Sequence, residues 1–241
     1  MKKLVIVVCI LVFLGLVGLF IAGYFLGNIP VVSKMLGTNK AVQLGVKLSS
    51  DGAYQGLKDL KMPVTAQELD AIAKNPQSYK SVKTTLTQEE VSSLLALGNI
   101  PDFPLKLTQV KFNQDGTIES SGVLDTVELK VFLKKNGVAN DVIDQIGNYV
   151  KVEAKVNYYA KGTCKIENNR VTMDISSAQI GKIPVPDSLV SRSGEMGNYI
   201  SNSLVKEGYN VRKMAVAGGK LELDADRPLN SLEPWLKFVH K

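Results

Sequence analysis

The clearest pattern along the chain is an unbroken alternation of apolar and polar residues between Val150 and Glu167. Apolar or small side chains occupy every second position, and charged or polar side chains occupy nearly all the others. A period of two places the two sets on opposite faces of a β-strand. Because such a strand is far longer than the usual ~5–6 residues, we expect it to bend at Gly162.

Three alternating stretches of the chain turn back on themselves at short dipeptides that are typical of hairpins. The dipeptides are Asp115-Gly116, Asn168-Asn169 and Gly218-Gly219. Asparagine, aspartate and glycine tolerate the positive φ that two-residue hairpin turns require. The sequence therefore predicts three antiparallel hairpins, of which the one around Asn168-Asn169 is the longest.

Helical signals separate these hairpins. The longest predicted helix starts at Asp187 or Ser188 and extends to about Lys206. Shorter helices are marked by Asp51 as an N-cap, by a stop at Asn75-Pro76, by a Thr87/Glu90 capping box, by Asp125 with Glu128 before a stop at Gly137, and by a start at Asn140. Helices that alternate with hairpins indicate an α+β fold with an antiparallel sheet.

The N-terminal region is apolar throughout, since no residue from Leu4 to Leu26 is charged. At about 1.5 Å per residue, a helix of this length crosses the roughly 30 Å hydrocarbon layer of a bilayer. A cleaved signal peptide is the alternative, but its apolar part is usually about 7–15 residues long and an A-x-A site is absent. Lys2 and Lys3 before the apolar run nearly balance Lys34 and Lys40 after it, but the short basic head lies directly at the helix end, which favours a cytoplasmic N-terminus and the rest of the chain outside the cell membrane.

These patterns predict an α+β chain in which an N-terminal transmembrane helix precedes a curved antiparallel sheet of long hairpins packed on a long helix. Residues 1–27 form the predicted anchor, and residues 28–65 form a juxtamembrane stalk with a short helix. Residues 66–241 form the predicted α+β module. We expect a single-pass protein of the cell membrane whose C-terminal module is extracytoplasmic.

Composition narrows the function classes. The formal net charge is +6, but basic and acidic residues are mixed along the chain and aromatic residues make up only 7% of it. A nucleic-acid surface usually combines a basic stripe with stacking aromatic residues, so nucleic acid is not expected as a partner. Cys9 and Cys164 are the only cysteines, and Cys9 falls in the predicted anchor. No disulfide between them is expected.

Catalytic motifs are weak in this sequence. The only histidine, His240, is one residue from the end, which argues against a Ser-His-Asp site or a histidine metal cluster. Ser203 and Lys206 match Ser-x-x-Lys, but the accompanying Ser-Asp-Asn and Lys-Thr-Gly motifs are absent. Asp224 and Asp226 fall on the polar side of an alternating strand, where a solvated face is expected. The sequence predicts neither an enzyme nor a cofactor.

An apolar Pro-x-Pro corner joins the long hairpin to the longest helix. Gly181 ends the hairpin, and Pro184 and Pro186 hold the residues before them in extended backbone. The helix that follows carries a narrow apolar stripe interleaved with small residues. It therefore either packs closely on the sheet or leaves space there for another apolar body. The stripe includes Leu189, Met196, Ile200 and Leu204, and the small residues are Ser193, Gly197 and Ser201.

The run KVNYYAKGTCKIENNRVTMDISSAQIGKIPVPDSLV, with its strand, turn, strand, Gly-Lys-Ile-Pro-Val-Pro and helix start, resembles membrane-anchored bacterial proteins of the YpmS type. It is also similar to the wider LmeA-like group of envelope proteins, which is related to tubular lipid-binding (TULIP) domains. The resemblance covers roughly residues 105–226 together with the anchor. It implies a curved sheet wrapped around a long helix and an extracytoplasmic lipid-binding or lipid-handling role.

Under this hypothesis, a lipid or isoprenoid chain lies between the long strand and the long helix, with the corner near the opening. The alternative is a filled domain that binds no lipid and scaffolds a protein partner at the membrane. The expected lipid-binding residues are Val152, Val156 and Tyr158 on the strand, Ile183 and Val185 at the corner, and Leu189, Met196 and Ile200 on the helix.

Overall fold

The computed structural model of the chain describes residues 41–97, 104–135, 155–180, 183–185, 187–191 and 193–228. The helices in these ranges are α1 (Ser50–Asp59), α2 (Ala66–Lys74), α3 (Pro76–Lys80), α4 (Gln88–Leu97), α5 (Thr126–Lys135), α6 (Asp187–Val190) and α7 (Ser193–Lys206). The strands are β1 (Ser81–Leu86), β2 (Leu105–Phe112), β3 (Ile118–Asp125), β4 (Lys155–Glu167), β5 (Arg170–Ile180), β6 (Ile183–Pro184), β7 (Asn210–Ala217) and β8 (Lys220–Asp226).

All eight strands belong to one antiparallel sheet that is strongly curved into a half-barrel. Its strand order is β1-β8-β7-β4-β3-β2, while β5 pairs with the other edge of β4 and the short β6 pairs antiparallel with the end of β5. The β2–β3 and β7–β8 hairpins therefore both join the long β4–β5 hairpin along the same edge of β4, and β5 lies on the opposite side. The predicted α+β fold with an antiparallel sheet is confirmed.

The three predicted hairpin turns are confirmed, and each contains residues with positive φ. Gly116 has φ +83°, and Gly218 and Gly219 have φ +57° and +73°. Asn168 and Asn169 have φ +51° and +63°, values that asparagine adopts more readily than most residues. The turns form where the local sequence supplies residues that accept this backbone conformation.

The predicted bend of the long strand is confirmed at Gly162. The β4–β5 register shifts between Lys161 and Gly162, as in a β-bulge. A Cβ atom on Gly162 would collide with the carbonyl oxygen of Asp174 in β5. Glycine therefore lets the two strands stay in contact through the bend, which curves the sheet around its concave face.

Two edges of the sheet are covered by helices, and a serine hydroxyl takes part in each contact. Ser92 in α4 accepts a hydrogen bond from the Val110 amide of β2 at 2.7 Å and donates to the Val110 carbonyl at 3.1 Å. Ser201 in α7 accepts from the Val171 amide of β5 at 2.8 Å. These contacts satisfy backbone groups that would otherwise be open at the edge of a sheet.

Three features of the helices and strands differ from the sequence-based prediction. The N-cap of α1 is Ser49, whose side chain accepts from Gly52, and Asp51 lies in the first helical turn instead. The predicted helix from Asp187 to Lys206 is divided into α6 and α7 at Ser191, because this stretch contains serines and a glycine, which are weak helix formers. Strand β1 was not predicted, since only Val82 and Leu86 of its six residues are buried.

Capping boxes and helix stops agree with the sequence-based prediction at other positions. Thr87 and Glu90 bond to each other's backbone amides at the start of α4. Asp125 accepts from the Glu128 amide at the start of α5, while α2 ends at its C-cap Asn75, directly before Pro76. These signals act within one turn of a helix, so they can be predicted from local sequence.

One continuous apolar core fills the space between the sheet and the helices of the described ranges. The segment before β1 contributes Leu60 and Met62 to this core. The buried Arg227, at the end of β8, holds this segment: its guanidinium donates to the Leu60 carbonyl at 2.7 Å and stacks on the Tyr79 ring at 3.8 Å. Burial lowers the pKa of Arg227.

None of the described helices is long and apolar enough to cross a bilayer. The predicted anchor lies outside the described residues, as do residues 150–154, Gly137, Asn140, Gly181, Pro186 and His240.

Candidate functional site

A partly open apolar cleft of about 60 Å³ lies on the concave face of the half-barrel, and we call it the concave cleft. Its walls come from α4, from both strands of the long β4–β5 hairpin and from the two neighbouring hairpins. The lining residues are Val91, Val110, Phe112, Ile118, Ser120, Ala160, Lys161, Gly162, Thr163, Cys164, Met173, Asp174, Ile175, Met214 and Leu221.

The strand pairing explains why a gap forms at this place. Strands β3 and β7 pair with the same edge of β4, one after the other. The β3 pairing reaches Gly162, and the β7 pairing begins at Ile166. The stretch Thr163–Lys165 between them has no partner strand on that edge among the described residues. The sheet therefore forks here, and the fork opens onto the concave face.

Small side chains on the concave face of β4 enlarge the gap. Ala160, Gly162 and Cys164 follow one another on this face, between the larger Tyr158 and Ile166. Side chains of this size cannot reach the helices opposite, so the space above them stays unfilled.

The tips of the two neighbouring hairpins lie close to each other beside the cleft. A Cβ on Gly116 would lie 3.5 Å from the Val216 carbonyl oxygen, and a Cβ on Gly219 would lie 2.9 Å from Nε2 of Gln114. Contact between the tips of the β2–β3 and β7–β8 hairpins thus closes one side of the fork. Because the tips belong to different hairpins, separating them would widen the cleft.

A buried hydroxyl network lies next to the cleft at Ser120. The Tyr158 hydroxyl is 3.2 Å from Oγ of Ser120 and donates to Oγ1 of Thr108 at 3.2 Å. All three residues are buried. Each hydroxyl has a partner within the protein, so the network stabilises the wall and leaves the cleft predominantly apolar.

Cys164 lines the cleft with a buried thiol. Burial raises the pKa of the Cys164 thiol from its ordinary value of 9.0 to about 12. The thiol is therefore protonated at neutral pH, and a protonated, buried thiol acts as a small apolar group. Its contribution to the site is an apolar surface.

The acidic pair in β8 contacts a basic side chain. Arg212 donates from Nε to Oδ1 of Asp224 at 2.6 Å and from Nη1 to Oδ2 of Asp226 at 2.5 Å. The hydrogen bond from Arg212 lowers the pKa of Asp226. This arrangement agrees with the predicted polar face. Among the described residues there is no group of three or more His, Cys, Asp or Glu that could hold a metal ion.

The predicted lipid-binding residues fall into two groups in the structure. Val185 and Ile200 are part of the core, Tyr158 is in the hydroxyl network, and Val156 packs against the core. None of these four lines the concave cleft. Val152 and the side chains of Ile183, Leu189 and Met196 lie outside the described residues.

The contact between α7 and the sheet is close, with no gap at Gly197. A Cβ on this residue would lie 2.9 Å from the Val171 carbonyl oxygen, and Ser201 bonds to the Val171 amide. The corner folds back on the sheet, since the Val185 amide donates to the Ala178 carbonyl at 2.9 Å. Space for an apolar body is instead found at the fork beside Gly162.

The concave cleft lies on the same face of the long strand as the predicted Val156 and Tyr158, but none of its lining residues was among the predicted lipid-binding residues. Ala160, Gly162 and Cys164 alternate with polar residues in the same pattern as Val156 and Tyr158. The signal that could have found them is the succession of three small residues in the middle of an apolar face. The contributions of Phe112, Met214 and Leu221 depend on strand pairing and have no local signal.

The concave cleft offers apolar contact, a protonated thiol and one satisfied hydroxyl network, so it is suited to holding an apolar group. No protein-family model, curated protein or solved structure matches this chain. The geometry of the cleft is therefore the main support for a function.

Proposed function

We propose that this chain is a membrane-anchored, extracytoplasmic protein that binds the apolar chain of a lipid in the concave cleft and catalyses no reaction. The observation that carries the proposal is an apolar cleft at a fork of the sheet, lined by three small residues of β4. Apolar concave sites of this kind bind ligands mainly by removing apolar surface from water. The apolar run Leu4–Leu26 is the proposed anchor.

The size of the cleft limits how a lipid enters. About 60 Å³ has room for a few methylene groups, while a drug-sized ligand usually occupies about 300 Å³ or more. The end of an acyl or isoprenoid chain therefore enters first. Deeper insertion requires the tips of the β2–β3 and β7–β8 hairpins to separate. The resemblance to lipid-handling envelope proteins agrees with this role and stays a hypothesis.

Photo-crosslinking tests the proposal on the full chain. The protein is reconstituted in vesicles with a phospholipid whose acyl chain ends in a diazirine, and the crosslinked peptides are mapped by mass spectrometry. Crosslinks to peptides that contain Ala160, Cys164 or Met173 are expected. An Ala160→Leu variant fills the cleft, and crosslinking there should fall about tenfold, the effect of about 1.4 kcal/mol in binding free energy.

Ala217→Leu is the matched control, because Ala217 is exposed at the end of β7 and does not line the cleft. This variant should crosslink like the wild type. Crosslinks confined to residues 4–26, or equal cleft crosslinking in a folded Ala160→Leu variant, would overturn lipid binding in the cleft.

The second candidate function is a scaffold that binds a protein partner and no lipid. The small volume of the cleft and the close contact at Gly197 favour it. Under this candidate, Ala160→Leu would change stability only. The crosslinking experiment therefore separates the two functions.

A further inference from the structure

Exposed apolar side chains are concentrated at one end of the half-barrel. Seven large apolar side chains are exposed in the described ranges, and five of them belong to segments that meet at the start of β2. We call these five the anchor-end patch; they are Val42, Leu97, Leu107, Val127 and Val131. The other two, Tyr54 and Val205, lie in α1 and α7.

Leu107 is the most unusual member of the patch. It lies in a bulge of β2, where the register with β3 shifts between Lys106 and Gln109. Its φ is +50°, and 64% of its surface is exposed. A left-handed conformation is unfavourable for a non-glycine residue, and exposure of a leucine to water is unfavourable as well. Bulges that re-aim side chains are common next to functional surfaces.

The direction of α4 places Leu97 near this bulge. Gln88 accepts from the Phe112 amide, and Ser92 bonds to Val110, so α4 runs antiparallel to β2. Four helical residues advance about 6 Å, and two strand residues advance nearly the same distance. If the helix and the strand are followed in the same direction beyond the contact between Ser92 and Val110, the C-terminal end of α4, with Leu97, comes to the level of Leu107.

Helix α5 starts at the same end of the sheet. The Asp125 amide, directly before α5, donates to the Pro104 carbonyl at 2.7 Å. Glu128 in the first turn of α5 forms a 2.5 Å ion pair with Lys106. Val127 and Val131 are four residues apart, so they share one face of the helix. Both are exposed.

The segment that follows the proposed anchor reaches the body of the protein at this end. The Leu44 amide donates to Oε1 of Gln109 at 2.8 Å, and Nε2 of Gln109 donates to Gln43 at 3.3 Å. Gln109 is two residues from Leu107. Residues 27–40 span at most roughly 50 Å at about 3.5 Å per residue. The patch is therefore on the side of the protein to which the proposed anchor is connected.

Lysines surround the patch and are more exposed than their acidic partners. Lys155 pairs with Asp125 at 4.0 Å, but the lysine side chain is 70% exposed and the aspartate side chain 15%. Lys134 in α5 is also exposed. Lysines at the rim of an apolar surface complement the charge of anionic headgroups.

We propose that the anchor-end patch lies on the surface of an anionic bilayer, with Leu107, Val127 and Val131 inserted at the headgroup boundary. This inference rests on the anchor in the proposed function and adds an orientation: the start of β2 faces the membrane, and the tip of the β7–β8 hairpin points away from it. Apolar side chains with basic neighbours bind bilayer interfaces by burial and by charge attraction together.

Fluorescence quenching tests this orientation on the full chain. Val127→Cys and Lys220→Cys are introduced singly in a Cys9→Ser background and labelled with an environment-sensitive dye. Both variants are reconstituted in phosphatidylcholine vesicles with and without phosphatidylglycerol. A nitroxide on the lipid should quench most of the fluorescence at position 127 and little at position 220, and aqueous iodide should do the reverse. Quenching at position 127 should be stronger with phosphatidylglycerol.

Lys220 is the matched control because it is exposed at the start of β8, directly after the β7–β8 turn and far along the chain and sheet from the patch. Equal lipid quenching at the two positions in a chain that floats with the vesicles would overturn the orientation and leave the anchor intact. A chain that fails to float would overturn both. Protection of position 127 from iodide without lipid quenching would assign the patch to a protein contact and overturn the bilayer surface.

Discussion

Asn169 connects the long hairpin to the start of the β7–β8 hairpin. Its Nδ2 donates to the Tyr209 carbonyl at 2.8 Å, and its Oδ1 accepts from the Val211 amide at 2.6 Å. The Asn169 backbone amide bonds to the Val211 carbonyl as well. One turn residue thus shapes a hairpin and positions the start of β7. Strand β7 pairs with β4 on one side of the fork, so Asn169 also helps to position that side.

Cys164 is expected to make stability depend on pH in the alkaline range. Burial raises the pKa of its thiol from 9.0 to about 12. Below pH 9 the thiol is protonated in both states, so the stabilisation is fully present. Between pH 9 and about 12 only the unfolded state ionises, which lowers the free energy of unfolding by about 1.4 kcal/mol per pH unit.

Denaturant unfolding of the wild type and of Cys164→Ala, at pH 8 and pH 10, measures this effect. The wild type should lose more stability than the variant between the two pH values, whatever their difference at pH 8. The same pH dependence in both proteins would mean that the thiol of the folded protein ionises normally and that the cleft is hydrated.

Two helices cover edges of the sheet and bond to backbone groups there. Helix α4 covers β2 through Ser92, and α7 covers β5 through Ser201. Ser201 also donates to the Gly197 carbonyl at 2.8 Å, within its own helix. The close approach of each helix depends on small residues at the contact.

Gly197→Ala is expected to destabilise the contact between α7 and β5. The new Cβ would lie 2.9 Å from the Val171 carbonyl oxygen, so the helix must shift. Overpacking of this kind costs roughly 1–3 kcal/mol, partly offset by about 1 kcal/mol from the better helix propensity of alanine.

Gly194→Ala in the same helix is the control, since a Cβ at this position meets no atom within 4 Å. Its melting temperature should stay equal or rise slightly, while that of Gly197→Ala falls. Equal melting temperatures for the two variants would show that α7 is not in close contact with β5. Neither variant should change crosslinking in the concave cleft, which is lined by other residues.

At the scale of the whole molecule, the curved sheet joins three hairpins around one core. The proposed anchor, the anchor-end patch and the concave cleft then follow one another from the start of the chain and the start of β2 toward the hairpin tips. The proposed topology places the N-terminus in the cytoplasm and the α+β module outside the cell membrane.

Labelling of whole cells with an impermeant maleimide tests this topology. Cells that express Lys220→Cys should be labelled without lysis, because Lys220 is exposed at the start of β8. Wild-type cells serve as the control, since Cys164 is buried with its thiol protonated. If the Lys220→Cys variant is labelled only after the cells are lysed, the module is not extracytoplasmic.

Local signals in the sequence determined the hairpins and much of their geometry. Asp115-Gly116, Asn168-Asn169 and Gly218-Gly219 were sufficient to predict the three turns, and Gly162 to predict the bend. Turn preferences and a period of two act over a few neighbouring residues, so they can be read without knowledge of the rest of the chain.

Only the tertiary structure decided which strand edges meet and where space remains. The pairing of β3 and β7 with one edge of β4 creates the fork, and contacts between residues distant in sequence create the cleft beside Cys164. The bulge at Leu107 likewise depends on Gly122 of β3, where a Cβ would lie 2.9 Å from the Lys106 carbonyl oxygen. Such features follow from packing between separate elements, and no local pattern encodes them.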